Sequence, residues 1–117
     1  MHPLTDPLRA YAFGMPEAYE DHPWGESVAK VGKKVFVFFG LPEPDEPLRF
    51  TVKLPESSEL ALSLPWGTSP GYGLDRGRWV TLTPPEDAPL DMLVDWIAES
   101  YRTVAPKRLT KTLERHA

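Results

Sequence analysis

Residues 89–104, PLDMLVDWIAESYRTV, hold the strongest helical pattern in the chain. The apolar side chains recur at the spacing of one helix face: Leu90, Leu93, Val94, Ile97, Tyr101 and Val104. A helix with one apolar face must bury that face against another element. The spacing therefore predicts a long helix over 89–104 that covers a sheet, and Pro106 predicts its end or a kink before a basic amphipathic tail.

Residues 48–54 supply the clearest strand of that sheet. Alternate side chains are apolar, which is typical of a half-buried antiparallel strand. Phe50, Val52 and Leu54 are predicted to face the helices, whereas Arg49, Thr51 and Lys53 face away. By the same alternation, a last strand over 79–83 points Val80 and Leu82 inward and Trp79 and Thr81 outward.

Three further strands precede this pair. They are predicted at 17–22 (an edge strand), 27–31 and 35–39, with a hairpin turn at 32–34. The segment 35–39 is apolar on both sides, so one set of its side chains is expected on the face without helices.

Two shorter helices and a loop complete the pattern. Thr5-Asp6-Pro7 predicts a capped helix start, with Gly14 as its end. A second helix is predicted at 55–64 with Leu60 and Leu64 inward, followed by a glycine-rich loop over 66–77. The order predicts one α+β domain over residues 1–117, with an antiparallel sheet, helices on one face and the other face open.

Composition excludes several classes of protein. The 13 Lys and Arg residues are outnumbered by 17 Asp and Glu, for a net charge of −4, which argues against a dedicated DNA-binding domain. The C-terminal tail from Arg102 onward is basic, and such a tail can follow phosphates. A solvated helix end, with cations near the negative pole of its dipole, explains it as well and is the expected interpretation. No cysteine is present, so disulfides, thiolate metal sites and cysteine catalysis are excluded. No stretch approaches the ~20 apolar residues of a membrane span, and a cytoplasmic location is expected.

Several motifs together resemble those of one family. They are Pro23-Trp24-Gly25, the strand start at 33–37, Lys53, the segment 72–79 followed by Val80-Thr81, and Glu99-Ser100-Tyr101. In this order they resemble the YjbR/MmcQ-like family of small bacterial proteins. The resemblance implies a frataxin-like (CyaY-like), or double-wing, α+β fold and a family label of DNA-binding protein. One position departs from the family pattern Asn-Lys-x-His-Trp, because Arg78 stands where the histidine is usual.

The open face of the sheet is the predicted binding surface. Its candidate residues combine aromatic rings with cations: Trp24, Lys53, Tyr72, Arg76, Arg78 and Trp79. Rings that stack on bases, with cations beside them for phosphates, are typical of nucleic-acid binding. A small anionic ligand or a protein partner fits such a surface equally well. Alternatively, the aromatic side chains only pack beneath the loop and the C-terminal tail.

Acidic residues form two groups that invite a metal hypothesis, since frataxin-type proteins bind iron through acidic surfaces. Asp91, Asp95 and Glu99 follow one helix face, and a second group, Glu17, Glu20 and Asp21, lies on the first strand. A stripe along a helix usually faces water, whereas hard cations need ligands that converge. We therefore expect solvated carboxylates and no metal or other cofactor. His2, His22 and His116 form no zinc-ligand spacing.

One apparent catalytic motif fails on chemical grounds. Residues 67–71, GTSPG, match the letters of the GxSxG nucleophile elbow. In that motif the residue after the serine donates its backbone N–H to the oxyanion, and Pro70 has none. We expect a binding module, not an enzyme.

Overall fold

Six antiparallel strands form one sheet within the residues that the computed structural model describes, which are 3–23, 25–40, 48–70 and 77–115, with side chains up to residue 111. The strands lie in the order β1-β2-β3-β4-β6-β5. The elements are α1 (Thr5–Phe13), β1 (Ala18–Asp21), β2 (Ser27–Val31), β3 (Lys34–Gly40), β4 (Phe50–Lys53), α2 (Ser58–Ser63), β5 (Gly67–Thr68), β6 (Trp79–Leu82), α3 (Leu90–Val104) and α4 (Lys107–Arg115).

The predicted α+β architecture is confirmed, with the apolar sides of β4 and β6 packed toward the helices. Phe50, Val52, Val80 and Leu82 are fully buried in one core with residues of α1 and α3. None of the helices in the described ranges is long and apolar enough to cross a membrane.

The first helix forms where predicted, but its predicted cap is wrong. Leu4 occupies the N-cap position and no side chain caps the helix there. Leu8 and Ala12 are buried, and Gly14 ends the helix. Burial of this face therefore stabilises α1 without help from a capping oxygen.

Strand β3 does not alternate as the sequence predicts. Its register with β2 shifts between Ala29 and Lys30, because Ala29 pairs with Val37 while Lys30 pairs with Val35. Phe36 is therefore an extra residue, and both Phe36 and Val37 are fully buried. Strand β3 therefore does not place every second side chain on the open face of the sheet. Its aromatic residue on that face is Phe38.

The long helix α3 is confirmed, and its central turn is buried more widely than predicted. Leu93, Ile97 and Tyr101 are buried as expected, and Leu90, Val94 and Val104 are half-buried. The neighbouring residues Trp96, Ala98, Glu99 and Ser100 are also buried.

Glu99 contradicts the expectation of a solvated acidic stripe. Its side chain is 8% exposed, whereas Asp91 and Asp95 are exposed. The carboxylate accepts hydrogen bonds from the backbone N–H groups of Glu56 and Ser57, at 2.9 and 3.1 Å. It also accepts one from the Ser57 hydroxyl at 2.6 Å. These donors lie at the start of α2, so Glu99 supplies from a distant helix the cap that α2 lacks locally.

Ser100 takes a place in the hydrogen-bond ladder between two strands. β3 pairs with β4 at Val37–Val52 and Phe38–Thr51. One step further, the Ser100 hydroxyl accepts a hydrogen bond from the Lys53 N–H at 2.9 Å and donates one to the Phe36 carbonyl at 2.5 Å. The hydroxyl thus satisfies both backbone groups where the strands no longer pair.

Tyr101 joins α3 to the segment before β1. Its ring meets Phe36 edge-on, with the centroids 5.2 Å apart. Its hydroxyl donates to the Pro16 carbonyl at 2.7 Å. Burial is the main cause that raises the pKa of this phenol.

The predicted orientation of α2 is wrong for Leu60. The helix starts at Ser58, so Ser58 and Ala61 face inward and Leu60 is 56% exposed. A Cβ on Gly67 would lie 1.9 Å from the Ala61 carbonyl oxygen, so only glycine fits this close approach. Leu64 is half-buried.

Part of the predicted loop over 66–77 is a strand. Gly67 and Thr68 form β5, which pairs with Leu82 and Thr81 of β6. Backbone pairing through two residues carries no periodic signal in the sequence, which explains why the pattern missed it.

The long helix α3 ends at Val104, before Pro106, as the proline predicts, and the chain after it forms the separate helix α4. Leu109 is buried against the core, and the Arg108 guanidinium donates to both carboxylate oxygens of Glu17, at 2.6 and 3.1 Å. The first turn of α4 therefore docks on the protein.

Replacing Ser100 with alanine tests the strand bridge. Ser100→Ala leaves the Lys53 N–H and the Phe36 carbonyl without this partner, so we expect the free energy of unfolding to fall by about 1–3 kcal/mol. Urea denaturation measures the change. The matched control is Asp95→Asn, an exposed change on the same helix, which should stay within about 0.5 kcal/mol. A Ser100→Ala midpoint equal to that of the control would contradict the bridge.

Candidate functional site

The open face of the sheet carries a mixed polar and aromatic surface. Along β4 and β6 the side chains opposite the core are those of Lys53, Thr51, Trp79 and Thr81, as the alternation predicts. Lys53 pairs with Trp79 and Thr51 pairs with Thr81 in the register of the two strands. The pairing of β4 with β6 alone therefore brings these four side chains together.

Lys53, Trp79 and Phe38 form the aromatic cluster. The Lys53 ammonium lies 5.9 Å from the Trp79 ring centroid, within the range of a cation–π contact. The Trp79 ring meets Phe38 edge-on, with centroids 5.3 Å apart. A Cβ on Gly77 would come within 3.0 Å of the indole Cδ1 atom, so glycine lets the backbone lie close to the ring.

Beside this cluster lies a groove of about 660 Å³, here called the threonine groove. It is lined by residues of four strands and their neighbouring segments: Glu26, Phe38, Arg49, Thr51, Thr68, Ser69, Pro70, Thr81 and Thr83. The hydroxyls of Thr51 and Thr81 hydrogen-bond each other at 2.8 Å. Since Phe38 belongs to both the groove and the aromatic cluster, the two form one continuous surface.

The groove includes residues that sequence reasoning did not select. Arg49 was predicted to face away from the core, but it was not named as a binding residue. Thr68 and Ser69 could not be placed beside Thr81 without β5, whose pairing the pattern missed, whereas Thr83 shares the predicted strand with Thr81. The outward alternation of residues 49–53 was the available signal for Arg49.

Arg78 lies apart from the aromatic cluster. Its backbone has a positive φ of 62°, and its carbonyl accepts a hydrogen bond from the Leu54 N–H at 2.9 Å. The guanidinium donates to the Ser58 hydroxyl of α2 at 3.5 Å. The residue that replaces the family's usual histidine is thus directed toward α2, whereas Trp79 faces the open side.

Three other predicted binding residues, Trp24, Tyr72 and Arg76, lie outside the described residues. Of the six candidates, the structure therefore brings Lys53 and Trp79 together and directs Arg78 elsewhere.

The acidic residues near β1 are each paired with a different partner. Arg108 binds Glu17, and its hydrogen bond lowers the pKa of that carboxyl. Asp21 accepts from the His22 N–H and from Lys30, and both lower its pKa. Within the described ranges, no three acidic or histidine side chains converge as metal ligands.

Glu20 is the centre of the best-connected of these clusters. One carboxylate oxygen accepts from the Ser27 hydroxyl at 2.6 Å and from the Arg9 guanidinium at 2.8 Å, and it lies 3.2 Å from the His22 Nε2 atom. The Ser27 hydrogen bond, followed by that of Arg9, lowers the Glu20 pKa. Arg9 also stacks on Phe13 and Phe39, 5.1 Å from each ring centroid, so the cluster joins α1 to β1 and β2.

Comparison with known proteins agrees with the motifs of the sequence. The family model described as YjbR matches residues 13–103. The chain belongs to the YjbR family. The resemblance inferred from the sequence is thereby confirmed. No curated protein matches the sequence.

A solved structure gives the YjbR fold independent support. The crystal structure of the Deinococcus radiodurans protein DR2400, which carries a DUF419 domain, matches with a TM-score of 0.73 and 27% identity. The match covers 97% of this chain and 92% of that protein. The α+β fold with its open antiparallel sheet is therefore shared across nearly the whole chain.

The Glu20 cluster predicts a specific dependence of stability on pH. A carboxyl whose pKa falls on folding stabilises the native state above its unfolded value of 4.5, and this contribution is lost as the pH falls through the lower folded pKa. The free-energy difference between the wild type and Glu20→Gln should therefore shrink as the pH falls from 5 toward 2.

Urea denaturation across this pH range measures that difference. Ser27→Ala serves as a companion variant, because it removes the strongest cause of the pKa shift and should weaken the same acid dependence. Parallel pH profiles for the wild type and Glu20→Gln would show that Glu20 does not contribute in this way.

Proposed function

We propose that this YjbR-family protein is a non-catalytic binding module that binds single-stranded nucleic acid on the open face of its sheet. The observation that carries the proposal is the aromatic cluster of Phe38, Trp79 and Lys53 beside a groove that contains Arg49. Rings and cations together on one exposed sheet face match the two parts of a nucleotide, the base and the phosphate.

The aromatic residues support stacking on unpaired bases. Trp79 contacts Phe38 and Lys53 and is half-buried, so neighbouring side chains position it while part of the residue remains accessible to solvent. A base stacked on an aromatic ring contributes about 1–3 kcal/mol, and the contact tolerates any sequence. Bases in a duplex are already stacked on each other, which favours a single strand as the ligand.

The positions of the two cations support a ligand that follows β4. Arg49 directly precedes β4 and lines the threonine groove together with Thr51, and Lys53 lies four residues further along, at the end of β4. At a rise of about 3.3 Å per residue, they are separated by roughly 13 Å. Two local cations suit a short single strand, whereas the net charge of −4 disfavours the broad phosphate surface of a duplex.

Fluorescence anisotropy with labelled single-stranded and duplex oligonucleotides tests the proposal. With two phosphate contacts, the logarithm of the association constant should fall with the logarithm of salt concentration at a slope of about −1.4. Lys53→Ala should reduce that slope by about 0.7. The matched control is Lys107→Ala, an exposed lysine of α4, which should leave the slope unchanged.

Two variants of Trp79 test the stacking contact. Trp79→Ala should weaken single-strand binding about five- to 150-fold, as expected for one stacked base, whereas Trp79→Phe keeps a ring and should retain most of the affinity. Absence of binding at low salt, or affinity that is unchanged in both Lys53→Ala and Trp79→Ala, would refute the proposal. Binding of free nucleotides alone would identify a small anionic ligand in place of a strand.

A further inference from the structure

The threonine groove differs chemically from a phosphate site. Among the lining residues that the structure describes, five side chains carry hydroxyls: Thr51, Thr68, Ser69, Thr81 and Thr83. The same described lining contains the guanidinium of Arg49 and the carboxylate of Glu26. A carboxylate repels phosphate oxygens, which carry negative charge and only accept hydrogen bonds. The groove therefore suits a neutral group more than a phosphate.

The arrangement of hydroxyls indicates what kind of neutral group fits. Thr51, Thr81 and Thr68 occupy one cross-strand row, since Thr81 pairs with Thr51 on one side and with Thr68 on the other. Each hydroxyl has one hydrogen to donate and two lone pairs to accept. The bond between Thr51 and Thr81 uses only one of their two hydrogens, so the pair can still donate and accept.

We propose that the threonine groove recognises the ribose 2′-hydroxyl, so that the open face selects single-stranded RNA over DNA of the same sequence. This inference rests on the proposed nucleic-acid function. A ribose hydroxyl both donates and accepts, which complements the threonine row, and Glu26 supplies a further acceptor. Deoxyribose has no such group, and the 2′-hydroxyl is the feature by which proteins distinguish the two nucleic acids.

The size and position of the groove fit this assignment. Its volume of about 660 Å³ lies within the range of about 300–1,000 Å³ that is typical of sites for small organic groups. Phe38 is shared with the aromatic cluster, so a base stacked on that cluster brings its sugar to the edge of the groove. Arg49 lies in the same lining, where it can contact the adjoining phosphate.

The experiment compares three single-stranded oligonucleotides of one sequence by fluorescence anisotropy: RNA, DNA and 2′-O-methyl RNA. RNA should bind about three- to tenfold more tightly than DNA, as expected for one or two additional hydrogen bonds. The 2′-O-methyl strand has lost the donor and should bind less tightly than RNA.

Thr81→Val removes one hydroxyl of the row while it keeps the branched shape of the side chain. This variant should lose more affinity for RNA than for DNA, so that the preference for RNA disappears. The matched control is Thr110→Val on α4, which should keep the preference. The unfolding midpoint of each variant establishes that it is folded.

The outcomes separate this inference from the function on which it rests. Equal binding of RNA and DNA by the wild type would overturn ribose recognition while single-strand binding stood. Equal losses for RNA and DNA in Thr81→Val would also overturn it, because the hydroxyl would then contact a feature common to both. Failure of all three strands to bind would refute the proposed function as well.

Discussion

The Ser100 hydroxyl, placed between the Lys53 N–H and the Phe36 carbonyl, is the interaction on which the arrangement of sheet and helices depends. It fixes α3 at the point where β3 and β4 stop pairing. The neighbouring residues of α3, Glu99 and Tyr101, attach the helix to two further segments. Glu99 holds the start of α2, and Tyr101 holds the carbonyl of Pro16. Three consecutive residues of one helix thus connect the sheet, the second helix and the segment before β1.

This attachment also positions the candidate binding surface. Lys53 is held by its backbone on the helix side, while its side chain reaches Trp79 on the open side. The adjoining Leu54 N–H donates to the carbonyl of Arg78, which fixes the start of β6 beside β4. The contacts that stabilise the core and those that build the aromatic cluster therefore meet in the same two strand ends.

Sequence patterns predicted the elements whose burial is periodic. They failed where contacts between residues distant in sequence determine burial or strand pairing. The helix face of Leu93, Ile97 and Tyr101 and the outward placement of Lys53 and Trp79 followed from local spacing. The burial of Glu99 did not, because its partners at Glu56 and Ser57 are more than 40 residues away in sequence. The bulge at Phe36 and the pairing of β5, which places Thr68 opposite Thr81 in the threonine groove, likewise depend on neighbouring strands and leave no periodic signal.

We propose that the open face of the sheet, and not the helical side, binds single-stranded nucleic acid. Nuclear magnetic resonance of the ¹⁵N-labelled protein, titrated with an unlabelled single-stranded oligonucleotide, tests it most directly. If the open face binds the strand, the largest chemical-shift changes fall on the amides of residues 49–53 and 79–83 and on the Trp79 indole N–H. Changes confined to α1, α3 and α4, or none at saturating oligonucleotide, would contradict it.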